Sequence, residues 1–227
     1  MRMNTAPGHD SGMTRHGFRA ASADAAPPVW AGALALSLAP EQRILSAGST
    51  GSSCHEITAG IVRLERVTAA GQRRIIRLAG PGDLIGQEAL LRQPYRNDAV
   101  ACTPVRLRRV ALPPAGQAPQ GHLPSALVQR WQHTLDASEF WSAEVSAGNA
   151  RRRMLQLLAQ LHNHRDDNGL VWCPKRDQMA DMLHLTVETC SRVLSALRRE
   201  QVLTLVPTRL ARVDAARLAD ALAQADR

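Results

Sequence analysis

Apolar and polar positions change period three times along the chain. From Arg43 to about Val110 they alternate in short runs: Glu56-Ile57-Thr58, Ile61 to Val67, Arg74 to Leu78 and Val105 to Val110. Gly60, Ala70-Gly71 and Gly80-Pro81-Gly82 separate these runs. A period of two lays one face of each run on a core, and glycine breaks at this spacing favour a small antiparallel barrel or jelly roll. Just before it, Ala33 to Leu38 predicts a short helix. Residues 111–124 carry four prolines and two glycines, which mark a boundary rather than an element. From Ser125 to Ala147 there is neither. There Leu127, Trp131, Thr134, Ser138, Trp141 and Val145 recur at alternating four- and three-residue steps, a heptad seam. The seam predicts a long helix whose partner is most simply its own symmetry mate; its two polar positions leave open a helix packed on its own barrel.

After Gly148 the period is helical again. Met154, Leu157, Leu158 and Leu161 predict an amphipathic helix over Ala150 to Leu161, followed by a turn at Asp166-Asp167-Asn168-Gly169. Two short helices then meet at a tight turn, Arg176 to Leu183 and Val187 to Arg199. Such a pair is a helix-turn-helix when a small residue sits at the crossing and apolar residues line both inner faces. Ala180 is the small residue, with Leu183, Leu185, Cys190 and Val193 inside. His184 stands where a turn glycine is usual and must accept a left-handed backbone. Thr186 is placed to cap the second helix. Gln201 to Val206 and Arg209 to Val213, around Pro207-Thr208, predict a two-stranded wing, and Ala215 to Ala223 a closing helix.

With the inner face assigned, the outer face near the start of the second helix presents Val187, Glu188, Ser191 and Arg192. Each has a use at a base edge: Arg forks onto guanine, Glu accepts from cytosine N4, Ser adapts, and Val meets a thymine methyl. A carboxylate there repels the backbone, so Glu188 points to base reading. Thr186, Ser195, Arg198, Arg199, Arg209 and Arg212 fall where phosphates would run, giving affinity and salt dependence.

Composition supports this class of partner. The chain has 227 residues, 44% apolar and 21% charged, with a net charge of +8. Lys175 is its one lysine, and guanidinium-rich charge suits phosphate and guanine, although codon composition gives the same bias. Cys54, Cys102, Cys173 and Cys190 form no C-x-x-C pair and no secreted framework, which implies a reduced cytoplasm. Residues 1–28 are poor in periodic apolar positions and read as a disordered tail without a signal peptide. Val29 to Ala39 is about half a membrane span, so no membrane association is expected.

The order barrel, long helix, winged helix-turn-helix resembles the Crp/Fnr superfamily of bacterial transcription regulators, over roughly residues 30–225. Ala79-Gly80-Pro81-Gly82-Asp83-Leu84-Ile85-Gly86 is similar to its barrel motif. Leu185-Thr186-Val187-Glu188-Thr189-Cys190-Ser191-Arg192 is similar to the recognition helix of the Fnr-type branch. The resemblance implies an α+β chain of four parts: the tail at 1–28, a cyclic-nucleotide-binding-like barrel at 29–121, a dimerisation helix at 122–148 and a winged domain at 149–227. It implies a homodimer on double-stranded DNA that reads a TTGAT-like palindrome and activates through RNA polymerase, with repression open at some promoters.

The sensor departs from the family pattern. Cyclic-nucleotide binders hold phosphate with Gly-Glu and Arg-Ser or Arg-Thr pairs; here Gly86 is followed by Gln87 and Glu88, and Asn97-Asp98 stands in the second place, with Arg96 one position early. Asp98 is expected to face the phosphate with the wrong charge, which argues against cyclic AMP. Residues 1–53 contain no cysteine, which argues against an oxygen-sensing iron–sulfur cluster. His9, His16 and Cys54-His55 leave haem open, and no metal site is expected: His162 and His164 read as a solvated pair. Cys173, beside Lys175 and Arg176, is the candidate redox thiol, because those cations favour thiolate. Cys102 and Cys190 read as core. Two alternatives stay open: a haem- or metabolite-dependent regulator of the same fold, and a jelly-roll binding protein or enzyme, although the barrel lacks the cupin metal pattern.

Overall fold

The computed structural model describes residues 34–110 and 125–225, so the expected tail and the whole proline-rich boundary lie outside the described residues. Eight strands build the N-terminal half: β1 (Ala35–Leu38), β2 (Arg43–Leu45), β3 (Cys54–Ala59), β4 (Val62–Val67), β5 (Arg73–Ala79), β6 (Leu84–Ile85), β7 (Asp98–Ala101) and β8 (Val105–Val110). They pair antiparallel in two four-stranded sheets, β1-β8-β3-β6 and β2-β7-β4-β5. Ile57, Val62, Leu64, Ile85 and Leu107 fill the space between the sheets. The four alternating runs lie on β3, β4, β5 and β8 as expected. The helix expected at Ala33 to Leu38 is instead β1, because the free edge of β8 takes Ala35 through Leu38 as a ladder, and pairing overrides local propensity.

The second half begins with α1 (Ser125–Phe140), which ends in a π-helical turn over Trp141–Val145. Then come α2 (Ala150–Asn163), β9 (Leu170–Trp172), α3 (Arg176–Leu183), α4 (Val187–Arg199), β10 (Leu203–Val206), β11 (Leu210–Val213) and α5 (Ala215–Ala225). Asn149 starts α2 by accepting from Arg152 N at 2.9 Å. The wing has a third strand, in the order β10-β11-β9.

The two halves share a core. Ile61, Ile75, Leu78 and Cys102, on the outer side of the barrel, are buried together with Met154, Leu158, Trp172, Met179 and Met182 of the C-terminal half. The expected dimer seam is largely spent here. Leu127, Thr134, Trp141 and Val145 are buried within the chain, and Ser138 is half-buried. The apolar residues left outside on α1 are Val128, Trp131 and Leu135, at 48%, 39% and 47% exposure. Of the predicted stripe only Trp131 faces out. The physical reason is that a helix lying on a barrel carries two apolar faces, and period alone cannot say which face is already covered.

Gly60, in the β3–β4 turn, has φ +88°, and a Cβ there would stand 2.3 Å from the Pro104 carbonyl oxygen. Gly60→Ala combines a left-handed strain with a backbone clash and should cost about 1–3 kcal/mol. The urea midpoint should fall accordingly at unchanged slope, and an unaltered midpoint would contradict the clash.

Candidate nucleic-acid interface

The helix-turn-helix forms from local signals. Lys175 N donates to Gln178 Oε1 at 3.0 Å and opens α3. Its end is His184, at φ 52° and ψ 47°, in the left-handed conformation expected of it. Leu185 N then closes on Ala180 O at 2.9 Å. Thr186 Oγ1 accepts from Thr189 N at 3.1 Å, which caps α4 as expected. Ala180, Leu183, Cys190, Leu194 and Leu197 are buried at the crossing, with Leu185 and Val193 partly buried against them. Arg153 Nη1 donates to Leu183 O at 3.1 Å, so α2 holds the end of α3.

Packing this face inward turns the other one outward. Val187, Glu188 and Arg192 are exposed and Ser191 is half-buried, all within the first two turns of α4. Glu188 and Arg192 have no hydrogen bond or ion pair among the described residues. Thr186 at the cap, Ser195, Arg198 and Arg199 further along α4, and Arg212 on β11 are likewise exposed. Glu188 also lies in the first turn, where the helix dipole favours a carboxylate.

Arg209 departs from its expected place at a phosphate. The wing turn carries Thr208 and Arg209 at φ 65° and 62°, and it directs the Arg209 side chain toward the barrel. Its guanidinium donates to Gln178 Oε1 at 2.7 Å and to Glu41 Oε1 at 3.2 Å, and lies 5.5 Å over the Trp172 ring. Glu41 is shared with Arg63, 2.8 Å away, whose hydrogen bond holds the Glu41 carboxyl below its usual range against the opposing effect of burial.

In the barrel, Gly86, Gln87, Glu88 and Asn97 line one cavity of about 250 Å³, closed by Tyr95 on one side and by Thr134 and Ser138 of α1 on the other. Arg96 and Asp98 do not line it. Arg96 offers its backbone N–H to Glu88 Oε1 at 3.1 Å. Asp98, expected to oppose a phosphate, is buried behind the strand, accepts from Ala47 N at 2.9 Å and lies 3.9 Å from Arg43. The guanidinium in the wall is Arg77, committed to Asp83 at 3.4 Å and to Leu78 O at 3.2 Å. The cavity therefore offers a phosphate no free cation from these positions. Its departure from the family pattern lies in Gln87 and Asn97, and the carboxylate that lines it is Glu88 rather than Asp98.

The thiols and histidines also differ from expectation. Cys173 is half-buried, and burial pushes its thiol up by more than Arg176 and Arg209 pull it down. The expected thiolate is therefore not favoured. Cys54 and Cys102 are buried, with thiols pushed up to about 12 by burial. His164 is only partly exposed: a Cβ on Gly80 would stand 2.2 Å from its Cε1, so the ring rests on the barrel, and burial lowers its pKa. His162 is partly buried and lowered in the same way. Among the described residues no three of His, Cys, Asp or Glu come together as metal ligands. His9 and His16 lie outside the described residues.

Comparison with known proteins agrees with this architecture. The cyclic nucleotide-binding domain family matches residues 35–113, and the Crp-like helix-turn-helix domain family matches residues 152–221. The chain is 29% identical over 175 residues to the transcriptional activator protein FnrL of Cereibacter sphaeroides, covering 72% of this chain and 70% of that one. It is 30% identical to the cyclic AMP receptor protein of Thermus thermophilus, covering 70% of this chain and 74% of the relative. The crystal structure of TTHB099, a CRP-family transcriptional regulator of Thermus thermophilus, superposes with a TM-score of 0.69 at 24% identity, covering 83% and 96% of the two chains. The fold and its reading helix define a DNA-binding transcription regulator, not an enzyme. The chain belongs to the Crp/Fnr family.

His55 is buried on β3, and burial, with the Arg109 charge, lowers its pKa from 6.5 to about 4. A depressed histidine is neutral in the fold, so its contribution is present above pH 6.5 and is lost as pH falls toward 4. His55→Gln should flatten stability across that interval in urea titrations. An identical acid slope in the variant would assign the loss to other groups.

Proposed function

We propose that the chain is a homodimeric, sequence-specific DNA-binding regulator that works in the cytoplasm and reads a TTGAT-like palindrome without cyclic AMP. One observation carries this reading: α4 buries its inner face and leaves Glu188 and Arg192 exposed and unpaired at its leading end. A merely solvated helix face has no need of a carboxylate and a guanidinium one turn apart with no contact to each other. Val187, Glu188, Ser191 and Arg192 read base edges; Thr186, Ser195, Arg198, Arg199 and Arg212 follow the phosphates. Arg209 joins them only by leaving Glu41.

Val128, Trp131 and Leu135 supply the apolar stripe on which a second copy packs, displaced from the predicted seam. Activation proceeds by contact with RNA polymerase, as the family resemblance implies. Independence from cyclic AMP is supported by Gln87 and Asn97 in the cavity and by the commitment of Arg77 to Asp83. A metabolite-dependent form of the same reading is favoured by one feature, the retained cavity against Thr134 and Ser138, where an occupant would touch α1 directly. Haem has no such support: Cys54 and His55 are buried on β3, and neither lines that cavity.

Titration of the purified protein on a TTGAT-N4-ATCAA duplex and on a scrambled duplex, at two salt concentrations and with absorbance spectra of the same stock, tests the reading. Selective binding by colourless protein, unchanged by cyclic AMP, supports it; equal binding to both duplexes overturns it. Arg192→Ala should cost about 1–3 kcal/mol on the palindrome and little on the scrambled duplex. Arg212→Ala should weaken both alike and reduce the salt slope by about 1.

A further inference from the structure

The first helix of the motif carries a contact that neither the core nor DNA reading requires. Asp181, in the middle of α3, faces β5, the edge strand of its sheet, whose outer N–H groups have no strand partner. Its Oδ2 accepts from Ile75 N at 2.6 Å, and its Oδ1 lies 3.4 Å from Arg74 Nη1. Ile75 itself is buried in the core shared by the two halves, next to Met179 and Met182 of the same helix. The apolar surface there holds the domains together but is indifferent to rotation, because dispersion and burial are not directional. A short hydrogen bond from a strand backbone to a carboxylate is directional and charge-assisted.

We propose that Asp181 is the positioning residue that sets the direction of α4 relative to the barrel, and thereby the spacing between half-sites that a dimer accepts. This rests on the dimeric, DNA-reading function proposed above. α3 and α4 are locked to each other through Ala180, Leu183, Cys190 and Leu194, so whatever orients α3 also orients α4. The barrel is in turn fixed to α1, where the dimer stripe lies, by Glu56 to Arg130 at 3.0 Å and by Leu84 N to Thr134 Oγ1 at 3.1 Å. One path from a recognition helix to its symmetry mate thus runs α4, α3, Asp181, β5, barrel, α1; another runs through α2, which holds the end of α3 by Arg153 and the end of α1 by Arg152 and Glu144 at 2.6 Å. The Arg209–Glu41 contact is a second tie between the same halves, but it is more exposed and is the one that phosphate would compete for. In a dimer with rigid arms the distance between recognition helices selects one spacing of the palindrome. Loosening the Asp181 joint lowers the penalty for wrong spacings and leaves each half-site contact as it was.

The test uses full-length protein and duplexes in which the two half-sites are separated by two to six base pairs, together with a single half-site duplex. Wild type should prefer one spacer by about tenfold or more over its neighbours, and Asp181→Ala should compress that preference to within about threefold at unchanged half-site affinity. Asp181→Asn, which keeps an oxygen for the Ile75 N–H but loses the charge facing Arg74, should fall between them. A sequence-independent measurement accompanies these: with spin labels on exposed Ala70 and Asp220, the distance distribution without DNA should broaden in Asp181→Ala. Unchanged spacing preference and an unchanged distribution in that variant overturn the proposal. Failure of wild type to distinguish palindrome from scrambled DNA, with a distribution that still broadens, overturns the functional reading and leaves Asp181 as the joint between domains.

Discussion

A carboxylate taken out of water needs donors and positive charge close by, and much of the molecule is arranged around one such group. Asp83, 1% exposed at the turn between β5 and β6, accepts from Gly80 N at 2.9 Å and lies 3.4 Å from both Arg77 and His133. Burial alone would raise its pKa; the neighbouring His133 ring, the Arg77 charge and the Gly80 N–H outweigh that and hold the carboxyl below its usual range. Each partner belongs to a different job. Arg77 stands in the wall of the barrel cavity, His133 is on α1, and Gly80 is the surface on which His164 of the C-terminal half rests. One buried charge therefore fixes the turn, the inner face of α1 and the seat of the DNA-reading half.

From that arrangement the functional surfaces follow by subtraction. With one side of α1 consumed by the barrel, the large apolar residues that remain for another molecule among its described ones are Val128, Trp131 and Leu135. With Ala180, Cys190 and Leu194 consumed at the crossing of α3 and α4, only the leading outer face of α4 remains for DNA. The barrel cavity is likewise a remainder, bounded by strands on one side and by Thr134 and Ser138 on the other. It is smaller than the roughly 300–1,000 Å³ common for ligand pockets.

The helix-turn-helix was legible because its determinants are local. The cap at Thr186, the left-handed His184 and the inner-face spacing all act within a few residues, and the limits of α3 and α4 match the sequence reading. The long strands were legible from alternation, whereas β2, β6 and β7, of three, two and four residues, are too short to show a period. What the sequence concealed was relational. Nothing near Leu36 signals that β8 will have a free edge, and nothing near Trp131 tells which side of the helix meets the barrel. Nor does the neighbourhood of Arg209 reveal a distant Glu41. Asp181 left no trace for the same reason: its partner is a backbone N–H more than a hundred positions away in the chain.

The π-helical turn at Trp141–Val145 gives the long helix a change of phase. An ordinary helix advances about 100° per residue, so one extra residue in a turn rotates everything beyond it by about that angle. Past Phe140 the chain therefore follows a new phase, and Trp141 and Val145 there join the core of the C-terminal half. In the proposed dimer, two copies zipped along α1 part company there. The winged halves of such a dimer then hang from a seam that stops short of them, joined to it through their own barrels and through α2, whose Arg152 pairs with Glu144 of this turn at 2.6 Å.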